Sequence, residues 1–230
     1  MKPYFLPPLF CQKLIWIPTR LSLRFFGHLE IKGLENLRAI KGNVIFAANH
    51  ASEIDPFLVP ASLPFWSRSS PLFYATREKS FYDTNGWRKH LFGGLFINVW
   101  GGYGVRVGLK NYARALKDHM RILRDGGSFC VFPEGGITPD GSIQPGKGGV
   151  IYMATQTETP VVPVTLSGAH RMSAADFFLR RRRITVHFGK PIYQKEFLSK
   201  VSDKTDLHIK VYKELATYVM MKIEKMLVKD

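Results

Sequence analysis

A histidine followed five residues later by an aspartate, in VIFAANHASEIDPFL, is where residue types and spacing could move a proton. A buried-looking strand delivers Asn49 and His50 into a loop, and Asp55 and Pro56 open the next helix. An imidazole titrates at roughly pH 6.5, so it can take up a proton and return it near neutrality, and a carboxylate on its other nitrogen would fix the tautomer. On a continuous helix this spacing points the two side chains to different faces. They meet only if a turn or helix start intervenes, which Ser52 and Pro56 would supply. Taken alone, the pair also fits a satisfied loop histidine beside a helix-capping aspartate.

A second apolar strand ends in Pro133, Glu134, Gly135 and Gly136, within CVFPEGGITPDG. Glycines at a strand end let backbone N–H groups come close to an anion, although an ordinary glycine turn reads the same way. Glu134 is negative and a poor direct phosphate ligand; its expected work is to orient a basic group, a loop or a substrate hydroxyl. Neither Cys11 nor Cys130 sits in a nucleophile motif, and Ser52 is too close to His50 in sequence to assume in-line attack. A general base therefore fits better than a covalent intermediate.

The elements that must position these residues are short apolar runs alternating with helical patterns. NVIFAAN, PLFYAT, LFINVW, GSFCVF and PVVPVTL are the strand candidates, which predicts an α/β fold with a mixed, mostly parallel sheet flanked by helices. One helix is predicted from about Gly108 to Arg124, with Tyr112, Leu116, Met120 and Leu123 on one face and Asp125-Gly126-Gly127 ending it. A last helix, Lys204 to Lys229, carries Leu207, Val211, Leu215, Val219 and Ile223 as one apolar stripe.

Residues 1–28 read as a membrane-associating segment and 29–230 as the catalytic domain. The opening segment mixes Phe5, Leu6, Leu9, Phe10, Leu14, Ile15, Trp16 and Ile17 with Lys13, Arg20 and Arg24, which suits a lipid headgroup region or a strap across the protein's own core. Its prolines predict that no long helix forms there. No run reaches the roughly 20 apolar residues of a spanning helix, and no secretory cleavage pattern follows the start. Lys and Arg number 33 against 18 Asp and Glu, a net charge of +15 that draws polyanions. Arg180 to Arg183 directly follow Phe177, Phe178 and Leu179, setting an aromatic patch beside a charged one. An apolar share of 45% excludes a disordered polar chain, and two cysteines cannot build a disulfide framework, which points to a reducing compartment.

Together, NHASEID and FPEGG resemble the two most diagnostic blocks of the glycerolipid acyltransferase family, of the 1-acylglycerol-3-phosphate acyltransferase type. The resemblance runs from about Ile31 to Ile192 and includes a later Lys-x-Gly and the VVPVTLSG stretch. It implies that His50 is the base, that Asp55 forms a relay with it, and that Asn49, Arg106, Glu134, Gly135, Gly136 and Lys147 meet the substrate. Two departures stand out. Family members carry a cation soon after FPEG, whereas this chain has none until Lys147, and Arg106 matches the second-block arginine only after allowing an insertion.

The implied reaction moves a fatty acyl group from an acyl thioester, acyl-coenzyme A or acyl-carrier protein, to the hydroxyl of a lysophospholipid, 1-acylglycerol-3-phosphate giving phosphatidic acid. No cofactor and no metal are implied. The expected setting is an anionic membrane surface on the cytoplasmic face, with the protein peripheral or monotopic and nucleic acid not a partner. The alternatives are another lysolipid or aminolipid acceptor, or a non-enzymatic basic protein that binds membrane or nucleic acid. The last explains +15 and leaves the ordered NHASEID and FPEGG unexplained.

Overall fold

The structure, a computed structural model, describes residues 2–77, 95–106, 108–109, 111–201 and 208–227. Among the described residues seven strands form one sheet: β1 (Glu30–Lys32), β2 (Ile45–Ala48), β3 (Leu72–Arg77), β4 (Gly102–Val105), β5 (Ser128–Val131), β6 (Val161–Ser167) and β7 (Thr185–Phe188). Their spatial order is β1-β7-β6-β2-β5-β3-β4. From β6 through β4 all neighbours are parallel, and β7 with its parallel partner β1 runs the other way. The expected mixed, mostly parallel sheet is what forms. Every residue of β2, β5 and β6 is buried. A parallel sheet is covered on both faces, so these strands read as continuous apolar runs rather than alternating ones.

The described helices, in chain order, are α1 (Leu6–Phe25), α2 (Asp55–Ser62), α3 (Leu95–Trp100), α4 (Tyr112–Ala115), α5 (Lys117–Arg124), α6 (Gly149–Thr157), α7 (Ala174–Phe178), α8 (Gln194–Leu198) and α9 (Ile209–Lys225). Successive residues of β2 serve two cores. Ile45 and Ala47 join Phe73, Phe129 and Val161 under α5, α6 and α9, while Phe46 and Ala48 join Leu72, Cys130 and Val164 under α1 and α2. Each fully buried side chain of the size of Phe46 contributes about 2–3 kcal/mol, so the strands that carry the site are among the best anchored parts of the chain.

Three expectations are corrected. LFINVW is helix α3, not a strand; the place beside β3 is taken by Gly102–Val105. A short apolar run cannot be assigned by periodicity. The deciding residues are Gly101, at φ 100°, and Gly102, where a Cβ would collide with Ile97; together they let the chain turn tightly from helix to strand. The prolines near the start do not prevent a long helix: α1 spans 20 residues. Pro7 and Pro8 fall in its first turn, where the missing N–H costs nothing, and only Pro18 is interior. Polar pins offset that defect. Gln12 bonds the backbone of Leu72 and Trp100 at 2.7–2.9 Å, Trp16 donates to the Leu63 carbonyl, and Arg20 donates to that of Ala61.

The helix expected from Gly108 to Arg124 is two, α4 and α5, broken at Leu116 with φ −114° and ψ 20°. The predicted face holds, since Leu116, Met120 and Leu123 are buried. Gly126, at φ 88°, ends it as expected. In the last helix Leu215, Val219 and Ile223 are buried, while Leu207 and the ends of the expected span lie outside the described residues.

Candidate active site

The strand register brings the two motifs together. Ala47 of β2 lies opposite Val131 of β5, so the chain leaving β2 at Asn49 and His50 emerges beside the chain leaving β5 at Phe132 to Gly135. On the other side Ala48 lies opposite Val164 of β6. Asn49, 3% exposed, uses its amide on β6: Nδ2 donates to the Leu166 carbonyl at 2.9 Å and Oδ1 accepts from the Leu166 N–H at 2.8 Å. These bonds fix the exit from β2, because a buried amide must satisfy its own donors and acceptor.

The turn after His50 is organised around one carboxylate. Asp55 is fully buried; Oδ2 accepts from His50 Nδ1 at 2.9 Å and from the N–H groups of Ala51 and Ser52 at 2.7 and 2.8 Å, and Oδ1 accepts from the Ser52 hydroxyl at 2.5 Å. Asp55 thus stands in the first turn of α2 and reaches backward, and it does not cap that helix. Since an ionised carboxylate only accepts, the neutral imidazole places its hydrogen on Nδ1 and presents the Nε2 lone pair. The His50 side chain keeps 18% exposure, so the ring is not sealed in the interior.

The FPEG loop holds the same histidine from the other side. The Phe132 ring stacks on the imidazole with centroids 4.1 Å apart and planes 19° apart. Glu134 accepts from the His50 N–H at 2.9 Å and from the Gln144 N–H at 3.2 Å, and the Thr138 N–H donates to the His50 carbonyl at 2.8 Å. Of the three roles open to Glu134, this is the loop-orienting one. Burial pushes its carboxyl up from the ordinary value, opposed by the two N–H bonds and by His50. Phe132 belongs to the FPEG motif, but its stacking on His50 and the bond from Thr138 follow from β2–β5 adjacency, which a one-dimensional pattern does not reveal. Cys130 is fully buried, and desolvation with the nearby Asp55 pushes its thiol well up, which disqualifies it as a nucleophile.

The cations are placed unequally. Lys147 lies across the FPEG turn: its N–H donates to the Pro133 carbonyl at 2.7 Å, and a Cβ on Gly135 would collide with its side chain. What requires glycine at position 135 is its φ of 76°, in the left-handed region; the far end of the Lys147 side chain could move aside. The Gly135 N–H donates to the Phe132 carbonyl, so it closes the turn rather than facing an anion. Gly136 follows in the same loop, half-buried. Arg106 is exposed, just past the end of β4. It shares the sheet edge with His50 but stands three strands from β2, on the order of 14 Å at ordinary strand spacing.

Comparison with known proteins bears on this geometry. Residues 28–167 match the family model described as Acyltransferase. The chain is 29% identical over 192 residues to a 1-acyl-sn-glycerol-3-phosphate acyltransferase of Limnanthes alba, covering 81% of this chain and 61% of that protein. It is likewise 29% identical over 188 residues to the enzyme of the same name from Limnanthes douglasii, covering 80% and 60%. The chain therefore spans about three fifths of the length of these relatives. Among solved structures it resembles the 1-acyl-sn-glycerophosphate (LPA) acyltransferase PlsC of Thermotoga maritima, with TM-score 0.59, 21% identity, and coverage of 94% of this chain and 79% of that one. At that identity the likeness speaks to the fold.

Proposed function

We infer the reaction from one premise: the chain belongs to the acyltransferase family. The reading is transfer of a fatty acyl group from an acyl thioester to the free hydroxyl of a lysophospholipid, with 1-acylglycerol-3-phosphate as acceptor and phosphatidic acid as product. The observation that carries it is the His50–Asp55 pair, joined at 2.9 Å with Nε2 left to accept a proton. His50 takes the acceptor's hydroxyl proton as the oxygen attacks the thioester carbonyl. The tetrahedral intermediate collapses with loss of the thiolate, which takes the proton back from the imidazolium. Asp55 holds the ring and offsets its transient positive charge. Lys147 and Arg106 supply positive charge for the acceptor phosphate.

The donor is acyl-coenzyme A or acyl-carrier protein, and the workplace is an anionic membrane surface. Support for the second comes from α1. Leu6, Phe10, Leu14, Ile17, Leu21 and Phe25 recur at helical spacing and are all more than half exposed, while the opposite side of the helix is pinned to the fold. Such a stripe lies in the headgroup boundary, flanked by Lys13 and Arg24. Among the described residues no helix is long and apolar enough to cross a membrane. The proposed attachment is peripheral or monotopic, at the cytoplasmic face.

Incubating the purified protein with acyl thioesters and a panel of lysolipids, with products identified by mass spectrometry, tests reaction class and acceptor together. Diacylated phosphatidic acid is the expected product. A second reading has a specific basis: no cation follows FPEG before Lys147, which favours an acceptor with a larger or amino-bearing headgroup. Acylation of such a lysolipid in preference to 1-acylglycerol-3-phosphate would select it.

A further inference from the structure

We propose that the turn following α7 is a second, arginine-based anchor that selects anionic lipid at the site edge of the sheet, an inference that rests on the membrane reading above. Between Gly168 and Thr185 the chain carries five arginines against one aspartate, Asp176. A reciprocal capping box between Ser173 and Asp176 fixes the start of α7. Its end projects outward, with Phe178 and Leu179 60% and 61% exposed. Arg180 then turns the chain in the left-handed region, at φ 59°, where a side chain is unfavourable.

This tip is continuous with the apolar stripe of α1. Phe26 packs on Phe177 and Phe178 with centroids 5.6 and 5.2 Å apart, and the Arg180 guanidinium sits 4.8 Å from the ring of Phe25, the last member of the stripe. It also stands at the correct end of the sheet. Thr185 pairs with Ser167 at the end of β6 and with Glu30 at the start of β1, so α7 and the end of α1 meet at the edge where β2 releases His50. Arg171 donates to the Pro139 carbonyl at 2.7 Å, tying this segment to the loop that follows FPEG. Arg180, Arg181 and Arg183 are exposed; Arg181 lies 3.8 Å from Asp176, and Arg182 is engaged on the His170 carbonyl.

An apolar tip ringed by cations fits a bilayer better than a nucleic-acid duplex. Phe178 and Leu179 would enter the acyl boundary while the arginines meet lipid phosphates. The anchor would gather anionic lipid around the catalytic histidine.

Sedimentation of the full chain with vesicles of phosphatidylcholine, alone or carrying a minority of phosphatidylglycerol, tests this. Each cation near an anionic surface contributes about fivefold, so Arg180→Gln with Arg181→Gln and Arg183→Gln should cut partitioning to the anionic vesicles on the order of 100-fold at low salt. Binding to neutral vesicles and thermal melting should stay unchanged. Phe178→Ser with Leu179→Ser should weaken binding to both vesicles by about tenfold, and high salt should not erase that loss. An arginine variant that keeps the wild-type preference for anionic vesicles refutes the anchor. If Phe10→Ser, Leu14→Ser and Ile17→Ser together abolish binding while the arginine variant behaves as wild type, the membrane reading stands and the anchor alone falls. If the wild type sediments with neither vesicle, both fall. Loss of duplex DNA binding in the arginine variant, with lipid preference intact, assigns the patch to nucleic acid and overturns the proposal.

Discussion

Two histidines of this chain occupy opposite extremes. His50 sits in a turn at a strand end, 18% exposed, with a buried carboxylate on one ring nitrogen and an aromatic ring against its face. His119 sits in the first turn of α5, fully buried, with Nε2 bonded to the Tyr103 carbonyl at 3.1 Å and Nδ1 without a hydrogen-bond partner among the described residues. Burial pushes His119 down to about 4, so near neutrality it is an uncharged core group lying beside Phe129. The same side chain is a candidate base in one place and packing material in the other. The difference is made by a carboxylate on one ring nitrogen together with an opening for the other.

The most severe way to break that contrast is to remove each ring in turn. General-base assistance contributes roughly 10²–10⁴-fold, so His50→Ala should lower turnover of acyl thioester with 1-acylglycerol-3-phosphate on that scale while the melting temperature barely moves. His119→Gln should leave turnover within a few-fold of wild type. Equal losses in the two variants would end the comparison.

Stability against pH sharpens it from the other side. Folding holds His119 neutral, whereas the unfolded chain protonates it below roughly pH 6.5. Between roughly pH 6.5 and about 4 the unfolded state therefore binds the extra proton, and stability falls as pH falls through that window. The loss from this group reaches about 3 kcal/mol at the lower end. Chemical denaturation from pH 7 down to 4 should show that decline, and His119→Gln should flatten it.

Glu134 tests whether the FPEG loop acts by holding His50. Glu134→Ala leaves the His50 and Gln144 N–H groups without their acceptor, at a cost of about 1–3 kcal/mol. Lower stability together with reduced turnover is expected. Glu134→Gln keeps one acceptor oxygen and should recover part of both, whereas a direct role in the chemistry would leave turnover low while stability returned.

How much of this was legible beforehand depends on what each residue's neighbours in sequence could say. His50, Asp55 and the FPEG turn stand in short, local patterns, and β2, β5 and β6 are continuous apolar runs because both faces of the sheet are covered. What the Asn49 amide holds was not legible, because its partner, Leu166, lies 117 residues away on a neighbouring strand. The same holds for the contacts that Phe132 and Thr138 make with His50, which depend on β2 and β5 being adjacent. LFINVW failed for a different reason. Its helix is dictated by the glycines that follow it and by the rival strand that takes its place, neither of which shows in the run itself. The long α1 was hidden because proline in a first turn is harmless and Gln12, Trp16 and Arg20 pin the rest from the side.

The mildest expected effect belongs to the proposed phosphate grip, where the geometry ranks two cations. Lys147 lies across the turn that also contacts His50, and Arg106 stands three strands away at the same edge. Both are exposed, where a single charge is screened and contributes about 1 kcal/mol or less, so each loss should be modest. Lys147→Ala should raise KM for 1-acylglycerol-3-phosphate by roughly fivefold and Arg106→Ala by less. Neither should change KM for a neutral monoacylglycerol, because an interaction with phosphate has nothing to act on there. Equal increases for both acceptors would mean that these residues shape the loops rather than hold the phosphate, and the polar edge of the site around His50 would then need another source of positive charge.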